Sequence, residues 1–253
     1  MSRIIAFVNQ KGGVGKTTTT VNLSAALAEI GKKILLVDCD PQGNATSGLG
    51  INKSTLTKTI YDILINNVEA KYALQMTNYG VTVLPSKIAL AGAEIELVSL
   101  IARESRLRNA LEPLRKDFDY ILIDCPPSLG LLTINSLTAA DSIIIPIQCE
   151  FYALEGVTQL MDTIELVKSS LNPLLAIEGI VMTMYDSRTK LSQQVVEDVK
   201  KHFGYLVYDN LIPRSVRIAE SPSEGKPVII YDRKSKGSEA YLNLAEEVIN
   251  RGN

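Results

Sequence analysis

Lys11-Gly12-Gly13-Val14-Gly15-Lys16-Thr17-Thr18 places two lysines, three glycines and two hydroxyls within eight residues. Glycines let successive backbone N–H groups turn toward one point without a Cβ in the way. Such groups at the start of a helix make an anion site. Lys16 can then reach the β- and γ-phosphates of a nucleotide, and Thr17 can offer its hydroxyl to Mg2+. The whole run Lys11, Gly12, Gly13, Val14, Gly15, Lys16, Thr17 and Thr18 is therefore read as a phosphate-binding loop. The common pattern G-x-x-x-x-G-K-[ST] would need glycine at position 10, where Gln10 stands. The additional lysine, Lys11, makes this the K-G-G-x-G-K-[ST] variant, a far more restrictive pattern.

A loop of this kind works only between a strand and a helix. The apolar run Ile4–Val8 precedes it, and Thr17–Glu29, with Val21, Leu23 and Leu27, reads as the helix that follows. Ile34–Asp38, Val81–Leu84, Tyr120–Asp124, Ser142–Pro146 and Ile177–Thr183 read as further strands. They are short, β-branched and apolar on both parities, as parallel strands covered on both faces must be. Helical patterns lie between them at Ile88–Leu114, Gly130–Ala139, Glu155–Leu171 and Gln193–Phe203. This alternation predicts an α/β fold: a twisted, mostly parallel sheet with helices on both faces. No linker, repeat or low-complexity stretch interrupts the chain, so residues 1–253 are read as one domain. Asn52–Gly80 is the least legible stretch; a short helix is expected near Tyr61–Ile65.

Composition narrows the function. The 253 residues are 46% hydrophobic and 21% charged, with a net charge of −2, ordinary for a globular protein. Cys39, Cys125 and Cys149 have no C-x-x-C spacing and read as small buried hydrophobes. Met1-Ser2-Arg3 leaves no room for a leader before the first strand, and no apolar run approaches the ~20 residues of a bilayer span. A cytoplasmic protein is expected. His202 lies in a Lys-Lys-His-Phe run and reads as surface; no nucleophile–histidine–acid set stands beside it. Pro213–Lys236 carries six cations against three carboxylates, a local excess of three on a chain that is otherwise acidic. Taken alone, that is a solvated charged face as readily as a phosphate-binding patch.

With these motifs in hand, the chain resembles the ParA/Soj partition ATPases, in the larger group that includes MinD and the nitrogenase iron protein. The resemblance runs through Asn9–Val21, Leu36–Gly50, Ala91–Leu97, Tyr120–Asn135, Pro146–Gly156 and Ile212–Tyr241, and is poor only across Lys53–Tyr79. It implies ATP and Mg2+ as cofactors. It implies that Lys11 reaches into the phosphate site of a second subunit, where a cation stabilises charge on the transferring phosphoryl group. Asp38 and Asp124 would join Thr17 around Mg2+, and Asp40 would orient the attacking water. From the residues alone, Asp40 before Pro41 is equally a turn-former. Pro126–Gly130 resembles a loop that changes conformation when the γ-phosphate leaves. Met184 and Pro213 would cradle adenine, although Met184 reads equally as core packing. Arg188, Arg217, Lys226, Arg233, Lys234 and Lys236 would bind double-stranded DNA without sequence preference once ATP has paired two subunits. A ParB-type centromere-binding partner, a replication initiator and a nucleoid location follow from the same resemblance, with no membrane partner.

Three competing readings carry their own requirements. A MinD-like membrane ATPase needs a basic amphipathic C-terminal helix, whereas Ser238–Asn253 has three glutamates against Arg251. An iron–sulfur carrier needs two well-placed cysteines from each subunit. A DNA-binding module without catalysis would show a helix-turn-helix or zinc pattern, and none is present.

Overall fold

The computed structural model describes residues 2–252 except Tyr152 and Leu154. Seven strands form one sheet: β1 (Arg3–Phe7), β2 (Ile34–Asp38), β3 (Gln75–Met76), β4 (Val81–Leu84), β5 (Tyr120–Asp124), β6 (Ser142–Gln148) and β7 (Ala176–Thr183). Their order is β3-β4-β2-β5-β1-β6-β7. Every pairing is parallel except the two-residue β3–β4 edge. The helices are α1 (Lys16–Glu29), α2 (Asn44–Gly48), α3 (Ile60–Asn66), α4 (Leu90–Glu96), α5 (Arg106–Leu111), α6 (Leu131–Ala139), α7 (Glu155–Ser170), α8 (Lys190–Phe203), α9 (Val216–Glu220), α10 (Val228–Tyr231) and α11 (Lys236–Arg251).

Strand parity sorts the core into two layers. Ile4 and Ala6, Leu35 and Val37, and Ile121 and Ile123 face the layer built with α3 to α8. Ile5 and Phe7, Ile34 and Leu36, and Tyr120 and Leu122 face α1, α9, α10 and α11. Side chains alternate across a strand, so this parity also decides which way the residues at the strand ends point. Asp38 and Asp124 continue the α1 parity, while Cys39 and Cys125 fall on the opposite face. The apolar stripe of α11 (Tyr241, Leu244, Ala245 and Val248) is fully buried against α1, which leaves none of it for lipid.

Two expectations are corrected. The pattern Ile88–Leu114 is not one helix. Leu100 is extended and Ala102 takes a left-handed φ of 52°, which breaks the run into α4, short 3-10 turns and α5. Apolar periodicity continues through such a break because both pieces pack on the same sheet face. The edge strand β3 was not foreseen; two residues carry no period. Elsewhere the ends shift by one to three residues, as at α6, which starts at Leu131.

Candidate functional site

The C-terminal ends of β1, β2 and β5 meet in register, with Phe7 beside Asp124 and Asp124 beside Asp38. The loop after β1 closes over them. Gly13 (φ 76°) and Gly15 (φ 88°) are left-handed, a conformation that only glycine adopts cheaply. Asn9 starts the loop: buried, it accepts from Lys11 N at 3.0 Å and donates to Pro146 O at 2.8 Å. Thr183, from the end of β7, donates to Val14 O at 2.7 Å. Neither anchor stands out in the sequence. Each is a polar residue at an apolar strand's end, the one signal that marks it.

Lys16 Nζ lies under this loop, 3.3 Å from Lys11 O. Burial lowers its pKa, opposed by Asp124 and Asp40. Lys11 is placed differently. Its side chain is 40% exposed, with Nζ 3.7 Å from Glu150.

Asp38 and Asp124 are fully buried. Burial pushes the Asp38 carboxyl up to about 6, and pushes Asp124 well above the ordinary carboxylate value, with the neighbouring Asp38 charge adding to it. Their hydrogen bonds differ. Asp38 is spoken for: Oδ2 accepts from Thr46 N at 2.8 Å and Thr46 Oγ1 at 2.7 Å, and Oδ1 accepts from Asp40 N at 3.2 Å. Thr46 in turn accepts from Ser86 N at 3.0 Å. Asp38 thus holds the Asp40 turn in place, and Thr46 is a site residue the sequence did not disclose. Asp124 accepts from Thr20 Oγ1 at 3.3 Å through Oδ1. Its Oδ2 is buried with no partner, and the Thr17 hydroxyl is close enough to hold its pKa down.

A buried, orphaned carboxylate oxygen beside a threonine hydroxyl fits a hard cation that keeps water in its shell. No cluster of three histidine, cysteine, aspartate or glutamate side chains exists among the described residues, so other oxygens must complete any such shell. All three thiols are buried, with Cys125 and Cys149 pushed up to about 12 by burial.

The raised carboxyls predict a pH effect. A carboxyl that titrates higher in the folded chain contributes stability below its ordinary pKa and loses it as pH rises through its folded value, about 6 for Asp38, with the same direction for Asp124. Asp124→Asn keeps the Thr20 contact and removes the charge. It is expected to raise the melting temperature of the ligand-free protein at pH 8 by roughly 2–4 °C, with no gain at pH 4. An unchanged melting temperature at pH 8 would show that the buried pair is not strained.

Beside the loop, a cavity of about 310 Å3 is lined by Gly15, Thr18, Met184, Pro213 and Ile218. A bridge between Tyr185 and Pro213 brings the two late loops together. Met184 is only half-buried and left-handed, at φ 52°, which turns it to the cavity rim rather than into the core.

The basic residues spread along α9, α10 and the start of α11, with Arg188 separate, in the loop after β7. Arg217 is paired with Glu220 at 3.1 Å and Asp232 at 3.2 Å, Arg233 with Glu29 at 3.0 Å and Arg188 with Asp186 at 2.8 Å. Lys226, Lys234 and Lys236 make no ion pair among the described residues. His202 is exposed.

Two contacts join this region to the site, one to the phosphate loop and one to the turn after α2. Asn22 on α1 donates to Thr18 O at 2.7 Å and accepts from Val228 N at 2.6 Å. Gly50 and Gly225 are both left-handed, and a Cβ on Gly225 would lie 2.9 Å from Gly50 Cα.

Residues 2–177 match the AAA domain family. The chain is 58% identical, over the full length of both proteins, to the sporulation initiation inhibitor protein Soj of Bacillus subtilis. It is 55% identical to the chromosome partitioning protein ParA of Caulobacter vibrioides, across 98% of this chain and 94% of that one. Among solved structures, a cobyrinic acid a,c-diamide synthase from Mycobacterium smegmatis with bound ADP and magnesium superposes with a TM-score of 0.89 at 43% identity, covering 100% of this chain and 96% of its own. No helix among the described residues is long and apolar enough to cross a membrane. Identity of this extent, over nearly the whole length of both chains, shows that the chain belongs to the Soj/ParA family of chromosome-partitioning proteins.

Proposed function

We propose that the protein is a slow, partner-stimulated ATPase that pairs two copies of itself around ATP, and that the pair binds double-stranded DNA without sequence preference. The observation that carries this reading is Lys11, a second cation in the loop, whose ammonium is partly exposed and 3.7 Å from Glu150. The partition reading is preferred to the synthase name because it comes from relatives of higher identity.

In this reading the backbone N–H groups of Gly12, Gly13, Val14, Gly15, Lys16, Thr17 and Thr18 hold the phosphates. Met184 and Pro213 flank the base. Thr17 and Asp124 would hold Mg2+, with Asp38 acting through the turn it anchors. When bound, Mg2+ would neutralise charge on the β- and γ-phosphates. Lys16 neutralises the γ-phosphate within the chain, and Lys11 does so across the interface after leaving Glu150. Asp40 orients a water for in-line attack on the γ-phosphorus; the bond to the β–γ bridging oxygen breaks, ADP leaves with that oxygen, the water's proton passes to the phosphate or to solvent, and product release resets the pair. A cytoplasmic, nucleoid-associated location, a ParB-type partner and contact with a replication initiator accompany this reading.

Three of the six cations are tied to carboxylates, so one copy offers DNA few unneutralised charges. Pairing doubles them and adds avidity. Sizing by light scattering is expected to give a monomer with ADP and a dimer with ATP; the same mass in both states would end the reading. DNA affinity is expected to appear only with ATP, with a log–log salt slope of about −5 for roughly six phosphates. Lys234→Ala is expected to lower that slope by about 1 per chain and to weaken all sequences alike; loss confined to one sequence would mean base readout.

A further inference from the structure

The segment Ala91–Leu97 shares in the family likeness, yet no step above uses it. Its Glu94, on α4, reaches across to the start of α6. One carboxylate oxygen accepts from Leu131 N at 2.9 Å and the other from Leu132 N at 3.3 Å. These are the first N–H groups of the helix that follows Pro126–Gly130. They have no partner within the helix, and a carboxylate matches the positive end of its dipole.

The rest of α6 is immobilised separately. Asn135, fully buried, donates to Arg103 O at 2.8 Å and accepts from Leu107 N at 3.2 Å. Thr133 Oγ1 donates to Ser128 O at 2.5 Å, which ties the helix to the loop before it. The loop therefore hangs between two fixed points, Asp124 in the sheet and Leu131 on Glu94. Gly130 leaves room for this clamp: a Cβ there would lie 2.5 Å from each Glu94 carboxylate oxygen.

We infer that Glu94 is a positioning residue for hydrolysis. It fixes the far end of the Pro126–Gly130 loop, so that γ-phosphate contact at the near end changes the loop's conformation and leaves the helix in place. The inference rests on the reading of that loop as nucleotide-sensing.

The experiment compares hydrogen exchange of peptides spanning residues 126–132 with ADP and with a non-hydrolysable ATP analogue, alongside kcat, KM and melting temperature. Wild type is expected to show a nucleotide-dependent difference in exchange. Glu94→Ala is expected to erase it and to lower kcat about tenfold, with KM for ATP within about twofold. Glu94→Gln, which keeps an acceptor oxygen, is expected to recover most of both. Gly130→Ala supplies a second probe that truncates nothing in the clamp. Its backbone (φ −81°, ψ −170°) suits alanine, so it is expected to act by displacing the carboxylate and to match Glu94→Ala. Retention of the exchange difference and of kcat in both alanine variants would overturn the inference. So would a kcat loss that follows melting temperature and is not recovered by glutamine. No difference in wild type would instead remove the nucleotide-sensing reading of the loop, and the inference with it.

Discussion

Lys16→Ala is expected to lower ATP turnover by about 10²–10³ and to weaken ATP binding strongly. Lys16 is 7% exposed, and among the described residues the one acceptor its ammonium reaches is Lys11 O, at a long 3.3 Å. A buried cation with one weak hydrogen bond is poorly satisfied, and burial lowers its pKa. A triphosphate arriving at the loop would supply the missing acceptors. Alanine removes that gain and also leaves Asp124 and Asp40 without their neighbouring cation. Titration of a fluorescent ATP analogue and a phosphate-release assay measure the two effects. Affinity and turnover within threefold of wild type would show that Lys11–Thr18 does not hold phosphate.

Asp40→Ala is expected to have the opposite signature: ATP still bound, turnover lowered by about 10²–10⁴, and dimer accumulating. The geometry explains why the turn should survive. Asp40 contributes one side-chain hydrogen bond, from Gln42 N at 2.8 Å. Its backbone is held by Asp38 through Asp40 N and by Gly43 N on Asp40 O at 2.9 Å. The substitution thus removes the water-orienting carboxylate and leaves the loop's frame in place. Scattering under saturating ATP should show the dimer, and the dimer should retain DNA. A monomer under those conditions would place Asp40 in subunit pairing rather than in hydrolysis.

Much of the fold was legible because buried parallel strands announce themselves. Ile34–Asp38 and Tyr120–Asp124 are apolar on both parities, and each ends on a carboxylate that apolar surroundings cannot explain. The phosphate loop was legible because its glycines, lysines and hydroxyls have no other shared use. The supports were not. Thr183 lies 169 residues from the Val14 carbonyl it holds, and Thr46, Asn9 and Glu94 are residue types that any surface carries. Their roles arise only when the sheet order brings distant strand ends together. The break at Ala102 was hidden for a related reason: a single left-handed residue leaves the apolar spacing on either side unchanged. Thr20, one helical turn after Thr17, is a further hydroxyl the sequence does not single out; it donates to Asp124.

The meeting of Gly50 and Gly225 bears on how relatives of this chain exchange parts. Each backbone occupies the space where the other's side chain would stand, so the stretch from Asp40 to Gly50 and the stretch from Ser221 to Lys236 must fit as lock parts cut together. A chimaera that imports the basic stretch from a distant relative inherits a joint machined for a different mate. Transplants that carry both stretches should assemble, and those that carry one should jam.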